Sequence, residues 1–200
     1  MGPQRVRHDL VTKTKPPKVD EYERTRRRYN PQSLYEHMDL YSNFGLPIQV
    51  TEITLPAYDG TPEDEEIQAK LIEYLYTVWF SHRSVEQIIY WNLVDGYAHV
   101  ESDDQAVIDA SQGDMTIGEN KFRGGLLRFD MTPKPALHTI QNLIKKVWHT
   151  HAQLITDKQG SAQFKGFYGN YEVEITVGAQ KVKRILSLTK NGKNTFEITL

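Results

Sequence analysis

Gly45-Leu-Pro-Ile-Gln-Val-Thr-Glu-Ile-Thr54 sets an acid, Glu52, at the end of a short apolar run. Val50, Thr51, Ile53, Thr54 and Leu55 surround it, and the polar, proline-bearing stretch Pro56-Ala-Tyr-Asp-Gly-Thr-Pro62 follows at once. Apolar residues mix here without clean alternation, which predicts a parallel strand over 47–53 covered on both faces.

Outward from that strand the periods are helical. Leu34, Tyr35, Met38 and Tyr41 recur at three- and four-residue steps, with Asn30 as cap and Pro31 at the first position, predicting a helix over 31–41. Thr61 caps a second helix whose first turn holds Glu63, Asp64, Glu65 and Glu66, matched to the positive end of the helix dipole. Its apolar stripe of Ile67, Leu71, Tyr74, Leu75 and Val78 needs a sheet to lie on. Val85 to Val94 is apolar almost throughout and reads as the next strand. A long polar loop, from Asp95 to about Gly125, precedes a third helix over Pro135 to Trp148. Helices alternating with strands mean βα units and a parallel sheet, and the carboxyl end of such a strand is where barrels keep their chemistry. After His149-Thr-His151 the period drops to two: Tyr171, Val173, Ile175 and Val177, then Val182 to Leu188, then Phe196, Ile198 and Leu200. Residues 161–200 therefore read as an antiparallel meander with turns at Gly178-Ala-Gln180 and Asn191-Gly192.

Composition excludes several classes. With 38% hydrophobic and 25% charged residues the chain has a globular balance. No run reaches the roughly 18 apolar residues of a membrane span, and the start lacks the apolar core of a secretory signal. Cysteine is absent, which removes disulfides, thiolate catalysis and cysteine-held metals. A net charge of −2 argues against a nucleic-acid partner. Nine Lys/Arg against four Asp/Glu crowd into residues 1–28, with Tyr22 alone as an aromatic ring, too little to interleave with the cations and stack bases. That segment reads as a solvated, disordered basic tail.

Four motifs then occur in order: Gly-Leu-Pro-Ile-x-Val-Thr-Glu at 45–52 with Gln68-Ala69 on the next helix, Phe80-Ser-His82 with Val85, the strand Ile88-x-Tyr-Trp-Asn-Leu-Val-Asp-Gly96, and Gly125-Leu-Leu127 with Lys134-Pro-Ala136. Over residues 29–152 they resemble the carboxyl-terminal part of family 10 glycoside hydrolases, the retaining endo-1,4-β-xylanases. The resemblance implies an α/β fold, a partial (β/α)8 barrel holding strands 7 (47–53) and 8 (86–94) with helices 6 to 8. Residues 161–200 resemble the short β-rich tail of some members.

The same resemblance makes Glu52 the nucleophile and Trp91 the ring that stacks on the sugar beside the cleaved bond. A retaining glycosidase needs a second, protonated carboxyl about 5–5.5 Å from the first. The family carries it in an Asn-Glu motif ending the fourth strand, which has no counterpart ahead of Asn30. Asp95 is the nearby strand-end carboxylate that could substitute, although the resemblance implies a structural aspartate there. Tyr97-Ala-His99 stands where members often have a second tryptophan; His99 is a candidate for a sugar hydroxyl, though its place reads first as that of a surface-loop histidine. Thr54 replaces a frequent aspartate. Asp103, Asp104, Asp109 and Asp114 lack the spacing of a calcium loop. No metal or cofactor is implied. The expected partners are β-1,4-xylan or xylo-oligosaccharides, with no nucleic acid and no membrane, and the whole protein would be extracellular or periplasmic. The chain itself is expected to be a truncated, inactive piece. The alternative is a noncatalytic glycan-binding or interaction fragment, for which Tyr168 and Tyr171 could offer an aromatic platform, although they read first as residues that pack the tail onto the last helix of the barrel.

Overall fold

Each helix near the sheet starts on a side-chain cap. In the computed structural model, which describes residues 30–199, the Asn30 side chain accepts from the Gln32 amide at 2.9 Å and opens α1 (Pro31–Ser42). Thr61 does the same for Asp64 at 3.2 Å and opens α2 (Pro62–Ser81), with Pro62, Glu63, Asp64 and Glu65 in its first turn. Both starts answer the unpaired amides of a first helical turn. The basic segment 1–28 lies outside the described residues.

Between the helices run β1 (Ile48–Ile53) and β2 (Val85–Tyr90), hydrogen-bonded in parallel, so β1, α2 and β2 form one βαβ unit. Ile72 and Leu75 of α2 are buried with Ile53, Leu55, Ala57 and Tyr58 from the end of β1, and with Phe122, Leu126 and Ala136 from later segments. This core lies at the carboxyl end of the strand pair. It fixes what the two strands present there.

The class is mixed α/β, as expected, but three expectations need correcting. β1 is not covered on both faces: it alternates half-buried with exposed residues up to Thr51, and Ile53 is its one buried residue. A two-stranded sheet with one partner per strand among the described residues leaves the outer edges open, so it is not by itself an arc of barrel. β2 stops at Tyr90 rather than Val94, because Asn92 turns to a left-handed φ of 69°. Val94 rejoins only as a single bridge to Leu127. The third predicted helix runs its expected length, α4 (Pro135–Asn142) widening into a π-helical turn at Leu143–Val147.

The loop after β2 has structure of its own. It contains α3 (Gln105–Ala110), capped by Asp104, and a 3₁₀ turn at Gly118–Phe122. Buried Asn120 staples it, accepting from the Ala98 amide at 2.8 Å and donating to the Ser111 carbonyl at 3.1 Å. No helix among the described residues is long and apolar enough to cross a membrane.

The described residues divide into two compact units between Ile140 and Gln141. The second contains a hairpin of β3 (Gly169–Val177) and β4 (Gln180–Leu188), paired antiparallel throughout. Gly178, at φ 58°, takes the first position of its two-residue loop. The third strand of the expected meander does not form among residues 189–199. Asn194 takes both backbone groups of Thr189, each at 2.9 Å, so a side chain occupies the bonds that would extend the ladder.

Tyr90 closes the first unit from inside. Its hydroxyl donates to the Gly124 carbonyl at 2.7 Å and lies 3.4 Å from the Leu55 amide and 3.5 Å from Gln68 Nε2. Burial pushes this phenol far above its ordinary value of 10.0, and Tyr76, also desolvated, to about 12. Both pKa values are raised on folding, so their contribution is complete below pH 10 and is lost as pH climbs above it, where only unfolded phenols ionise. Urea titrations between pH 8 and 11.5 should give stability falling above pH 10, more gently in Tyr90→Phe. That variant should lose about 1–2 kcal/mol at pH 7.

Candidate active site at the carboxyl end of the strand pair

The register of the parallel ladder shapes the site. Val50 pairs with Ile88 and Ile53 with Tyr90, so three residues of β1 advance against two of β2. The extra residue makes a bulge, a device that bends a strand and re-aims a side chain. Within it Glu52 adopts φ 57°. A left-handed backbone costs a non-glycine residue about 1–2 kcal/mol, and such strain collects at functional sites. Glu52 is exposed, although its neighbour Ile53 is in the core.

The next rung joins Glu52's strand to Trp91. The Trp91 amide donates to the Ile53 carbonyl at 2.8 Å. Trp91 leaves 39% of its surface accessible, large for a residue anchored by a strand rung. Its indole Nε1 donates to Glu119 Oε2 at 3.1 Å, and Asn92 Nδ2 donates to the same oxygen at 3.3 Å. Thr54 Oγ1 donates to the Trp91 carbonyl at 3.2 Å and lies 3.4 Å from Asn92 Nδ2. Thr54 thus serves this network in place of an acid. Gly124 packs hard against it: a Cβ there would meet Thr54 Cγ2 at 2.2 Å.

Of the sequence-derived residues, Glu52 and Trp91 stand on neighbouring strand ends, separated by one backbone rung. His99 comes to the same place through its backbone: its carbonyl accepts from the Glu119 amide at 3.0 Å, and the residue is exposed. Glu119, which completes the cluster, was not anticipated. It lies 27 and 28 residues from its two partners, across a loop whose path no periodicity gives.

Asp95 is placed otherwise than a substitute acid would need. Its two oxygens are occupied, one by Lys134 Nζ at 2.6 Å and one by the Gly125 amide at 2.7 Å, with both side chains buried. Lys134 also donates to the Arg123 carbonyl at 2.7 Å. Burial pulls the ammonium below its ordinary value, while Asp95 acts against that pull. The pair fastens the 123–134 segment beneath the site. Nearby, Arg128 grips buried Glu65 through two bonds at 2.8 and 2.5 Å. Asp104 and Asp114 cap local turns, and no group of three or more His, Asp or Glu among the described residues is placed to hold a metal.

No family model matches the chain. Over 163 residues, 81% of its length, it is 31% identical to the anti-sigma-I factor RsgI6 of Acetivibrio thermocellus. Over 154 residues, 76% of its length, it is 27% identical to endo-1,4-beta-xylanase 1 of Arabidopsis thaliana. The chain spans only 18% and 13% of these two proteins. Among solved structures, xylanase 10B from Thermotoga petrophila in complex with xylobiose and native xylanase 10B from Thermotoga maritima align at TM-score 0.43 and 18% identity. Those alignments cover 59% of this chain and 32% and 33% of the two xylanases. Similarity to a xylanase sequence over about three-quarters of the chain accords with the motifs at 45–52 and 88–96.

Two stability measurements check the geometry. Glu52→Gly relieves the left-handed backbone and should raise the free energy of unfolding by about 0.5–1 kcal/mol, an unusual sign for a substitution in a strand. Lys134→Ala leaves Asp95 buried without its cation and should cost about 3–5 kcal/mol, measured by the same urea titration.

Proposed function

We propose that this chain is the carboxyl-terminal part of a retaining glycoside hydrolase of the endo-1,4-β-xylanase type, family 10, with Glu52 as nucleophile. The observation that carries the reading is Glu52 at a left-handed bulge, one rung from an exposed tryptophan on the adjoining strand. The Glu52 carboxylate attacks the anomeric carbon, and the sugar–oxygen bond breaks as a covalent glycosyl–enzyme forms. Trp91 offers the ring face on which a pyranose packs, and His99, on the adjoining loop, reaches a sugar hydroxyl. The substrate is β-1,4-xylan or its oligosaccharides, met outside the cell or in the periplasm by the whole protein.

The reaction also needs an acid to protonate the leaving oxygen. Neither carboxylate near Glu52's strand end suits that role: Asp95 is locked to Lys134, and Glu119 is engaged by Trp91 and Asn92. Alone, therefore, the chain binds sugar without cleaving it. A second, noncatalytic reading is that of a glycan-binding or interaction module. It draws on the 31% identity to a protein named as an anti-sigma factor rather than an enzyme.

The purified chain should release no chromophore from an aryl xylobioside. Turnover abolished by Glu52→Ala would overturn the assignment of inactivity. Calorimetry with xylohexaose should register binding that Trp91→Ala weakens at least about tenfold, the equivalent of roughly 1.4 kcal/mol. Binding that survives Trp91→Ala but disappears in Tyr168→Ala moves recognition to the tail and favours the noncatalytic reading.

A further inference from the structure

We infer that Glu119 is a positioning residue, which locks the Trp91 indole so that sugar is recognised by the ring face and not by the indole N–H. The inference rests on the proposed sugar-binding reading and adds to it the part that sets how the platform works.

Trp91 is tied at two points. Its backbone amide is fixed by the rung to Ile53 at 2.8 Å, and its ring nitrogen by Glu119 at 3.1 Å. A tryptophan side chain has two rotatable bonds, so one anchor at the backbone and one at the far side of the ring leave it a single orientation. The indole has one donor, and Glu119 has taken it. With that donor engaged, the ring has only its carbon face to offer, which suits the C–H face of a pyranose.

Glu119 is itself well held. It sits on the 3₁₀ turn Gly118–Phe122, its amide donates to the His99 carbonyl, and the next residue is the buried staple Asn120. Its Oε2 receives Asn92 as well as Trp91. Asn92, two residues past the end of β2, has a left-handed φ of 69°, so one carboxylate oxygen pins both the ring and the irregular backbone beside it. A hydrogen bond to a charged acceptor is stronger than a neutral one, which suits a part-exposed clamp.

The test uses the full chain labelled with 5-fluorotryptophan, which gives three fluorine resonances, for Trp79, Trp91 and Trp148. Trp91→Phe assigns the second. Glu119→Ala should shift and sharpen the Trp91 resonance, leave the other two in place, and weaken xylohexaose binding about tenfold. Glu119→Gln keeps one acceptor oxygen and should fall between parent and Ala in both readouts. If Glu119→Ala disperses all three resonances by unfolding, the Gln variant decides: a change confined to Trp91 with weaker binding supports the clamp. A Trp91 resonance that stays where it was, or a moved resonance with parental affinity, overturns it. A parent chain whose Trp91 resonance ignores millimolar xylohexaose overturns the sugar-binding reading beneath, a result distinct from binding that is insensitive to Glu119.

Discussion

One buried amide holds together the segments that build the site. Gln68, on the inner face of α2, donates through Nε2 to the Leu55 carbonyl at 2.7 Å and to the Gly125 carbonyl at 3.3 Å, with the Tyr90 hydroxyl beside it. Leu55 is the chain leaving β1, Tyr90 the last residue of β2, and Gly125 the return of the long loop. The Leu55 and Gly125 carbonyls lie outside any ladder and would otherwise be buried without these partners, at about 1–3 kcal/mol apiece. Gln68 and Tyr90 together satisfy them. The strand ends, the loop and the helix must therefore move as one body.

Above that constraint, chemistry becomes accessible through irregularity. A regular parallel pair would present its side chains by strict alternation; the bulge at Glu52 and the left-handed turn at Asn92 break it at adjoining positions. Strain of this sort persists only where surroundings over-determine it. Here the core beneath Ile53 and the Asp95–Lys134 pair beneath the loop supply the determination. The division of carboxylates follows from the same layering. Asp95 and Glu65 are buried and spent on cations, Glu119 is spent on an indole and an amide, and Glu52 is the exposed one on the strand.

On the proposed reading, sugar contact and cleavage make different demands on the fold. A stacking surface and a strand-end carboxylate need only one βαβ unit. Double displacement needs a second carboxyl group held a fixed distance from the first, which is a property of a larger cleft.

Local chemistry was legible in the residues. Asn30 and Thr61 as caps, the acidic first turn of α2, the strand at 48–53 and the Gly178 hairpin all follow from interactions within a few residues, where sequence and geometry correspond directly. The candidate pair Glu52 and Trp91 came instead from the motifs at 45–52 and 88–96, through the family resemblance they carry. What only the tertiary structure decided was which polar group meets which. Glu119 reaches Trp91 across 28 residues, Asp95 meets Lys134 across a loop, and Asn194 withholds from the hairpin the bonds of a third strand. Periodicity reports which face of an element is buried; it carries no record of where a loop returns, and loop returns are what place one charge beside another.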